Sequence, residues 1–138
     1  MKEYRGGCHC GAIKIIYRTE IDPTHWRLRH DGCSFCRRHG VVGTSDPTGS
    51  LFIEIDDPSL VRRYRFAHRT AEFLICSLCG VFVAAITDSG QGARAVINAR
   101  VLDGLSLNWD SVAHVHFDDE SPEQRAERRA LQWTPVRT

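Results

Sequence analysis

Short apolar stretches alternate with turn-forming clusters along most of the chain. Ala12 to Tyr17 is apolar and β-branched, broken only by Lys14. Leu51-Phe52-Ile53-Glu54-Ile55 places Leu51, Ile53 and Ile55 on one face of an extended segment. Trp26-Arg27-Leu28-Arg29 also alternates, and Phe73-Leu74-Ile75, Val81 to Ile86, Ala95-Val96-Ile97 and His114 to Phe117 read as further strands. Asp22-Pro23, Asp46-Pro47, Asp57-Pro58 and Ser89-Gly90 punctuate them as turns. The pattern changes twice. Cys33 to His39 reads as a short helix with basic residues in its last turn and Gly40 as its C-terminal cap. Ser121-Pro122-Glu123-Gln124 is a capping-box sequence and opens a helix that runs to about Leu131, ahead of Pro135. These signals predict a mainly β domain over residues 1–118, with residues 119–138 as a C-terminal helical extension packed on the same domain.

Composition narrows the partners. The chain has 138 residues, enough for one domain with a modest core. Its formal net charge is +1, so it carries no global basic field toward nucleic acid or membranes. Arg62-Arg63-Tyr64-Arg65 mixes basic and aromatic residues, but a strand would divide them between two faces. Nucleic-acid binding therefore ranks last among the functions this chain could serve, and the sequence leaves the oligomeric state open. No run is apolar enough to span a bilayer, and Met1 to Gly7 lacks the apolar core of a signal peptide. The expected compartment is the cytoplasm, where thiols stay reduced and paired cysteines favour a metal over disulfides.

The six cysteines fall into three close pairs, Cys8/Cys10, Cys33/Cys36 and Cys76/Cys79. Phe73 to Ile86 reads as strand, Cys-x-x-Cys-Gly knuckle, strand, and Cys8-x-Cys10-Gly11 likewise leads into a strand. A tetrahedral structural zinc site takes four ligands, and these two pairs supply them: Cys8, Cys10, Cys76 and Cys79. Such a site staples the N-terminal segment to the middle of the chain. Cys33 and Cys36 remain, and two thiolates leave a metal unsaturated, as catalysis requires. Asp31 or the adjoining His30 can supply a third ligand, while Asp31 is equally suited to cap the Cys33–His39 helix. A metal-free dithiol is the alternative for that pair. Arg37 and Arg38 follow directly and offer a bidentate clamp for a substrate carboxylate, or a solvated helix end that complements the dipole. His39 reads as a helix-end charge or a proton shuttle, His9 as a surface residue, and Phe66, Phe82 and Trp109 as core. The arginines of residues 125–129 read as a solvated helix face.

Taken together, Gly7-Cys8-His9-Cys10-Gly11-Ala12-Ile13, Cys33-Ser34-Phe35-Cys36-Arg37-Arg38-His39-Gly40 and Cys76-Ser77-Leu78-Cys79-Gly80 resemble the glutathione-dependent formaldehyde-activating enzyme family, also called the centromere protein V family. Ile97-Asn98-Ala99-Arg100-Val101-Leu102-Asp103 resembles the family's Asn-x-x-x-Leu-Asp stretch. The resemblance implies a tent-like fold of antiparallel sheets with two zinc positions. One is the four-cysteine structural site at Cys8, Cys10, Cys76 and Cys79. The other is a catalytic site that the family builds from Cys-x-Cys-x-x-Cys, here Asp31-Gly32-Cys33-Ser34-Phe35-Cys36, with aspartate in the first position. By that resemblance Asp31, Cys33 and Cys36 hold a second zinc. The implied activity is that of a carbon–sulfur lyase handling adducts of glutathione, or another small thiol, with an aldehyde such as formaldehyde. The competing reading is a zinc-stapled module that binds a small thiol or a protein and performs no chemistry.

Overall fold

Strand after strand follows the alternation, in a computed structural model that describes residues 1–66 and 69–137. β1 (Lys2–Gly7) and β2 (Ile13–Thr19) form an antiparallel hairpin, and β2 pairs on its other edge with β5 (Ser50–Ile55). β3 (Arg29–Asp31) leads into α1 (Ser34–His39) and the two-residue β4 (Gly43–Thr44). β6 (Val61–Tyr64), β7 (Glu72–Cys76), β8 (Phe82–Asp88) and β9 (Ala93–Asn98) form an antiparallel meander. β10 (Ala113–Val115) lies parallel to β3. The chain closes with α2 (Pro122–Gln132) and β11 (Thr134–Arg137). The domain is mainly β, with a helix after Cys33 and a second near the C-terminus. Among the described residues, no helix is long and apolar enough to cross a membrane.

β11 joins the parts. It pairs parallel with β5 on one edge and antiparallel with β9 on the other, giving the order β1-β2-β5-β11-β9-β4-β3-β10, with β8, β7 and β6 continuing from the far edge of β9. The sequence reading ended at a helical extension and gave no strand here. Four residues, one of them Pro135, carry too little alternation to mark one. The strand expected at Trp26 also starts later, at Arg29. Asp22 caps a 3-10 turn over Pro23–His25, which holds Trp26 and Leu28 in the core outside any strand. A buried polar cluster keys β11 into place. Asp46 Oδ2 accepts from the Thr19 hydroxyl at 2.6 Å, Oδ1 accepts from Thr48, and the Asp46 N–H donates to Thr134 Oγ1 at 2.9 Å.

Side chains fill two apolar clusters. The larger holds Ile13, Ile15 and Tyr17 of β2, Leu51 of β5, Val83 of β8 and Ile97 of β9, and it includes Cys8 and Cys76. The smaller holds Phe35 and Cys36 of α1, Phe82, Ala85 and Trp133, with Phe66 and Phe73 against it. β8 serves both through a bulge: Ile75 faces Phe82 and Leu74 faces Ala84, so Val83 is the extra residue. The shift sends Phe82 and Ala85 to one cluster and Val83 and Ala84 to the other. Each cluster thus abuts one of the two cysteine centres.

Candidate metal centres

Two matching knuckles bring four sulfurs together. After β1 the chain reverses at Cys8–Gly11, where the Cys8 N–H donates to the Ile13 carbonyl at 2.9 Å and the Ile13 N–H donates to Cys8 Sγ at 3.2 Å. After β7 it reverses at Cys76–Gly80, where the Cys76 N–H donates to the Val81 carbonyl at 3.0 Å. Gly11 and Gly80 take φ values of 87° and 79°, a region that suits glycine. The sulfurs of Cys8, Cys10, Cys76 and Cys79 all lie within 4.8 Å of one another. Cys8 to Cys10 is 3.8 Å and Cys10 to Cys76 is 3.6 Å. Four sulfurs at about 2.3 Å from a tetrahedral ion stand about 3.8 Å apart, whereas a disulfide needs about 2 Å. The set therefore fits a metal and contains no disulfide. Protonation is uneven. For Cys10 the Ala12 N–H lowers the pKa, but the sulfur of Cys76, burial and the other two sulfurs raise it further, to about 11. Burial raises that of Cys79, yet backbone N–H groups and neighbouring thiols bring it down to about 6. Four thiolates this close repel one another, and a cation is what lets all of them ionise.

The second centre is built on the start of α1. Cys33 is the N-cap, its Sγ accepting from the Cys36 N–H at 3.3 Å, and Gly40 ends the helix in the left-handed region. The capping role weighed for Asp31 is displaced by two residues: its Oδ1 accepts from the Cys33 N–H at 2.9 Å, which aims the carboxylate at the helix start. Asp31, Cys33 and Cys36 form a group whose ligand atoms lie within 4.8 Å of one another, and one carboxylate oxygen is not committed to that hydrogen bond. The other candidate, His30, has Nδ1 3.1 Å from the Val41 carbonyl oxygen and stacks on His114, outside this group. The hydrogen bond with Cys36 pulls the Cys33 thiol down to about 7, and the same bond, with burial, pushes Cys36 well above the usual thiol range. Once Cys33 ionises, the two sulfurs share the remaining proton, which a bound cation would replace.

This second centre opens onto a pocket, and the pocket has a charge pattern that sequence reasoning missed. Asp31, Cys33 and Cys36 line a cavity of about 120 Å³. Phe66, Phe73, Phe82 and Trp133 form apolar wall, so Phe66 and Phe82 are both core and lining. Four arginines line it: Arg29, Arg125, Arg128 and Arg129. The arginines of α2 thus form a half-buried roof of the pocket where a solvated helix face was expected. Arg128 makes two bonds to Glu120, at 2.8 and 3.0 Å, and lies 3.6 Å over the Phe117 ring. Arg129 donates to Thr70 Oγ1 at 2.8 Å and stacks 4.7 Å over Trp133, while its buried Nε has no partner. Burial, then the neighbouring arginines, lower the pKa of Arg29 and of Arg129 to about 10, so both stay charged at neutral pH. Arg37 and Arg38 are exposed and do not line this cavity, and Arg38 donates to the Ser34 carbonyl of its own helix. His39 is exposed and stacks on Phe35, His9 is exposed, and Trp109 lies under Arg100 at the surface. The signal for the pocket was present in the 3.6-residue spacing, which puts Arg125, Arg128 and Arg129 on one stripe of α2.

The Asn98–Asp103 stretch does structural work in this arrangement. Asn98 is buried, donates to the Phe82 carbonyl at 2.9 Å and caps a 3-10 turn over Ala99–Val101. Leu102 then bridges to Gly6, and the Asp103 N–H donates to the Arg5 carbonyl, fixing the strand that leads into Cys8. Searches against models of known protein families and against curated proteins give no match to this chain. Among solved structures, the fold is similar to the crystal structure of a Rhodobacter sphaeroides protein determined as a Northeast Structural Genomics target. The two share 25% sequence identity with a TM-score of 0.62, over 80% of this chain and 97% of the other. That likeness bears on the architecture.

Proposed function

We propose that the chain is a zinc-dependent carbon–sulfur lyase of the formaldehyde-activating type, acting on adducts of a small thiol with an aldehyde, such as S-hydroxymethylglutathione. The observation that carries this reading is the contrast between the two centres. Cys8, Cys10, Cys76 and Cys79 complete a four-donor set, whereas Asp31, Cys33 and Cys36 supply three donors beside a cavity. Three donors with a free position is the arrangement of a catalytic zinc. Zinc held there would stabilise a substrate thiolate at neutral pH.

The chain's own residues do the rest. The Cys33 N–H orients the Asp31 carboxylate, and the α1 cap orients Cys33 against Cys36. The phenyl and indole walls lower the local polarity and so strengthen charge interactions beside them. In the breakdown direction the carbon–sulfur bond of the adduct breaks and its electron pair stays on sulfur. The hydroxyl proton leaves as the carbonyl forms, and Asp118, an exposed lining carboxylate, is at hand to pass it to water. Holding thiol and carbonyl together in one cavity supplies the proximity that addition needs in the reverse direction. A reducing compartment such as the cytoplasm keeps all six thiols available.

One observation favours a second reading, a zinc-stapled binding module. Asp31 stands where the family pattern has cysteine, and one of its oxygens is engaged by the Cys33 N–H. Zinc per chain, measured on protein purified without chelator beside an Asp31→Ala variant, separates the two. The lyase reading expects about two zincs falling to about one, with formaldehyde release from S-hydroxymethylglutathione lost in the variant. About one zinc in both proteins, without turnover in either, would leave the binding module.

A further inference from the structure

We infer that the cavity beside Asp31, Cys33 and Cys36 takes a small substrate bearing a carboxylate, and that Arg29 and Arg129 bind that carboxylate. The inference deepens the lyase reading and rests on it for the identity of the reacting end. Four arginines line the cavity, and they are not equivalent. Arg125 and Arg128 are matched by Glu120, at 3.7 and 2.8 Å. Among the described residues, neither Arg29 nor Arg129 has a carboxylate within ion-pair distance. Arg29 donates to Ser45 Oγ at 2.9 Å and more weakly to the Arg27 carbonyl, and Arg129 donates to Thr70 Oγ1. Arg129 also keeps a buried Nε without any acceptor. A charge removed from water without a partner is costly, and both residues lie on a cavity where a ligand can supply one.

Size and charge then define the ligand. A cavity of about 120 Å³ is far below the ~300–1,000 Å³ that encloses drug-sized molecules, so it admits only a few heavy atoms. A tripeptide thiol leaves most of itself outside, and the enclosed end is the one that meets Arg29 and Arg129. A carboxylate suits them better than a phosphate. It matches the planar guanidinium fork, and its single charge limits repulsion from the adjacent centre, which stays net negative when Asp31, Cys33 and Cys36 hold a divalent ion.

The test is calorimetric titration of the zinc-loaded chain with mercaptoacetate, 2-mercaptoethanol, acetate and inorganic phosphate. Mercaptoacetate is expected to bind roughly tenfold or more tightly than 2-mercaptoethanol, as one charge-assisted hydrogen-bonded pair provides. Arg29→Gln and Arg129→Gln should each remove most of that preference, leaving zinc content and 2-mercaptoethanol affinity unchanged. Equal binding of the two thiols by the native chain, which needs no variant to observe, overturns the inference. So does a preference that survives both substitutions, or phosphate competing better than acetate. If acetate binds as well as mercaptoacetate and the arginine variants abolish both, the carboxylate site stands and the thiol chemistry proposed above fails.

Discussion

Stripping the four-cysteine centre of its metal should lower the melting temperature without unfolding the chain. The perturbation is a strong chelator with reductant at neutral pH. Cys10 and Cys76 are 66 residues apart in sequence, and a metal held by both closes that loop. By the chain-entropy relation used for cross-links, a closed loop of this length is worth about 4 kcal/mol against the unfolded ensemble. For a chain of 138 residues the unfolding entropy is about 0.3 kcal/mol/K, which converts that loss to a drop of about 14 °C. The fold should survive, because β2 pairs with β5 over six residues and β11 ties β5 to β9 without any sulfur. Scanning calorimetry with parallel metal analysis measures both quantities. An Asp31→Ala chain should show the same drop, since its four-cysteine centre is intact. A shift under about 3 °C once the metal is removed would refute the cross-link argument, as would outright unfolding, which would mean that packing contributes far less than the two apolar clusters suggest.

Two further outcomes concern the elements that position the centres. Asp46→Asn should cost about 1.5–3 kcal/mol at neutral pH, because a buried charged acceptor of several hydrogen bonds is neutralised. Burial raises the Asp46 pKa, but the bonds from Thr19, Thr48 and Gly49 lower it by more, so the folded value lies below the ordinary one. The carboxylate's contribution is therefore complete above pH ~4 and fades as pH falls through the folded pKa. Urea titrations of both proteins should show their stability gap closing in acid, and a gap that widens there would be the wrong sign. Gly6→Ala puts a methyl carbon 1.9 Å from the Val101 carbonyl oxygen, a clash with backbone that only movement of β1 relieves. It should destabilise by about 1–3 kcal/mol in urea unfolding and speed loss of a metal held by Cys8, two residues on, whereas a neutral result would separate β1 from the Asn98–Asp103 stretch.

Some of this was legible in the residues and some was not, for physical reasons. The knuckles were legible because the spacing of Cys8, Cys10, Cys76 and Cys79, with Gly11 and Gly80, encodes their turns locally. The capping box at Ser121 and the left-handed Gly40 were legible for the same reason, and both stand in the structure. β6 and β11 were not. Val61–Tyr64 is mostly exposed and held by pairing with β7, and Thr134–Arg137 is held by neighbours far away in sequence. Strand propensity in such segments reports packing that the local sequence does not contain. The role of Asp31 was half legible. Its capping ability was plain, but only the fold shows that the capped N–H belongs to Cys33 and that Cys33 itself caps α1.

The arginines of α2 show why the candidate site needed the fold. Read alone, Glu123 to Gln132 is a polar helix, and a polar stripe on a terminal helix is usually solvent-facing. What turns that stripe inward is the segment that follows it. Trp133 is buried in the smaller cluster, Thr134 bonds to the Asp46 N–H, and β11 is clamped between β5 and β9, so the helix ahead of them has no freedom to swing away. Arg94 donates to the Trp133 carbonyl at 2.9 Å and tightens the same joint. Arg125, Arg128 and Arg129 are consequently held against the cavity that Asp31, Cys33 and Cys36 also line, by contacts more than thirty residues away in sequence. A short C-terminal strand with almost no signal of its own thus decides whether the second cysteine pair faces open water or a cavity lined by arginine and aromatic side chains.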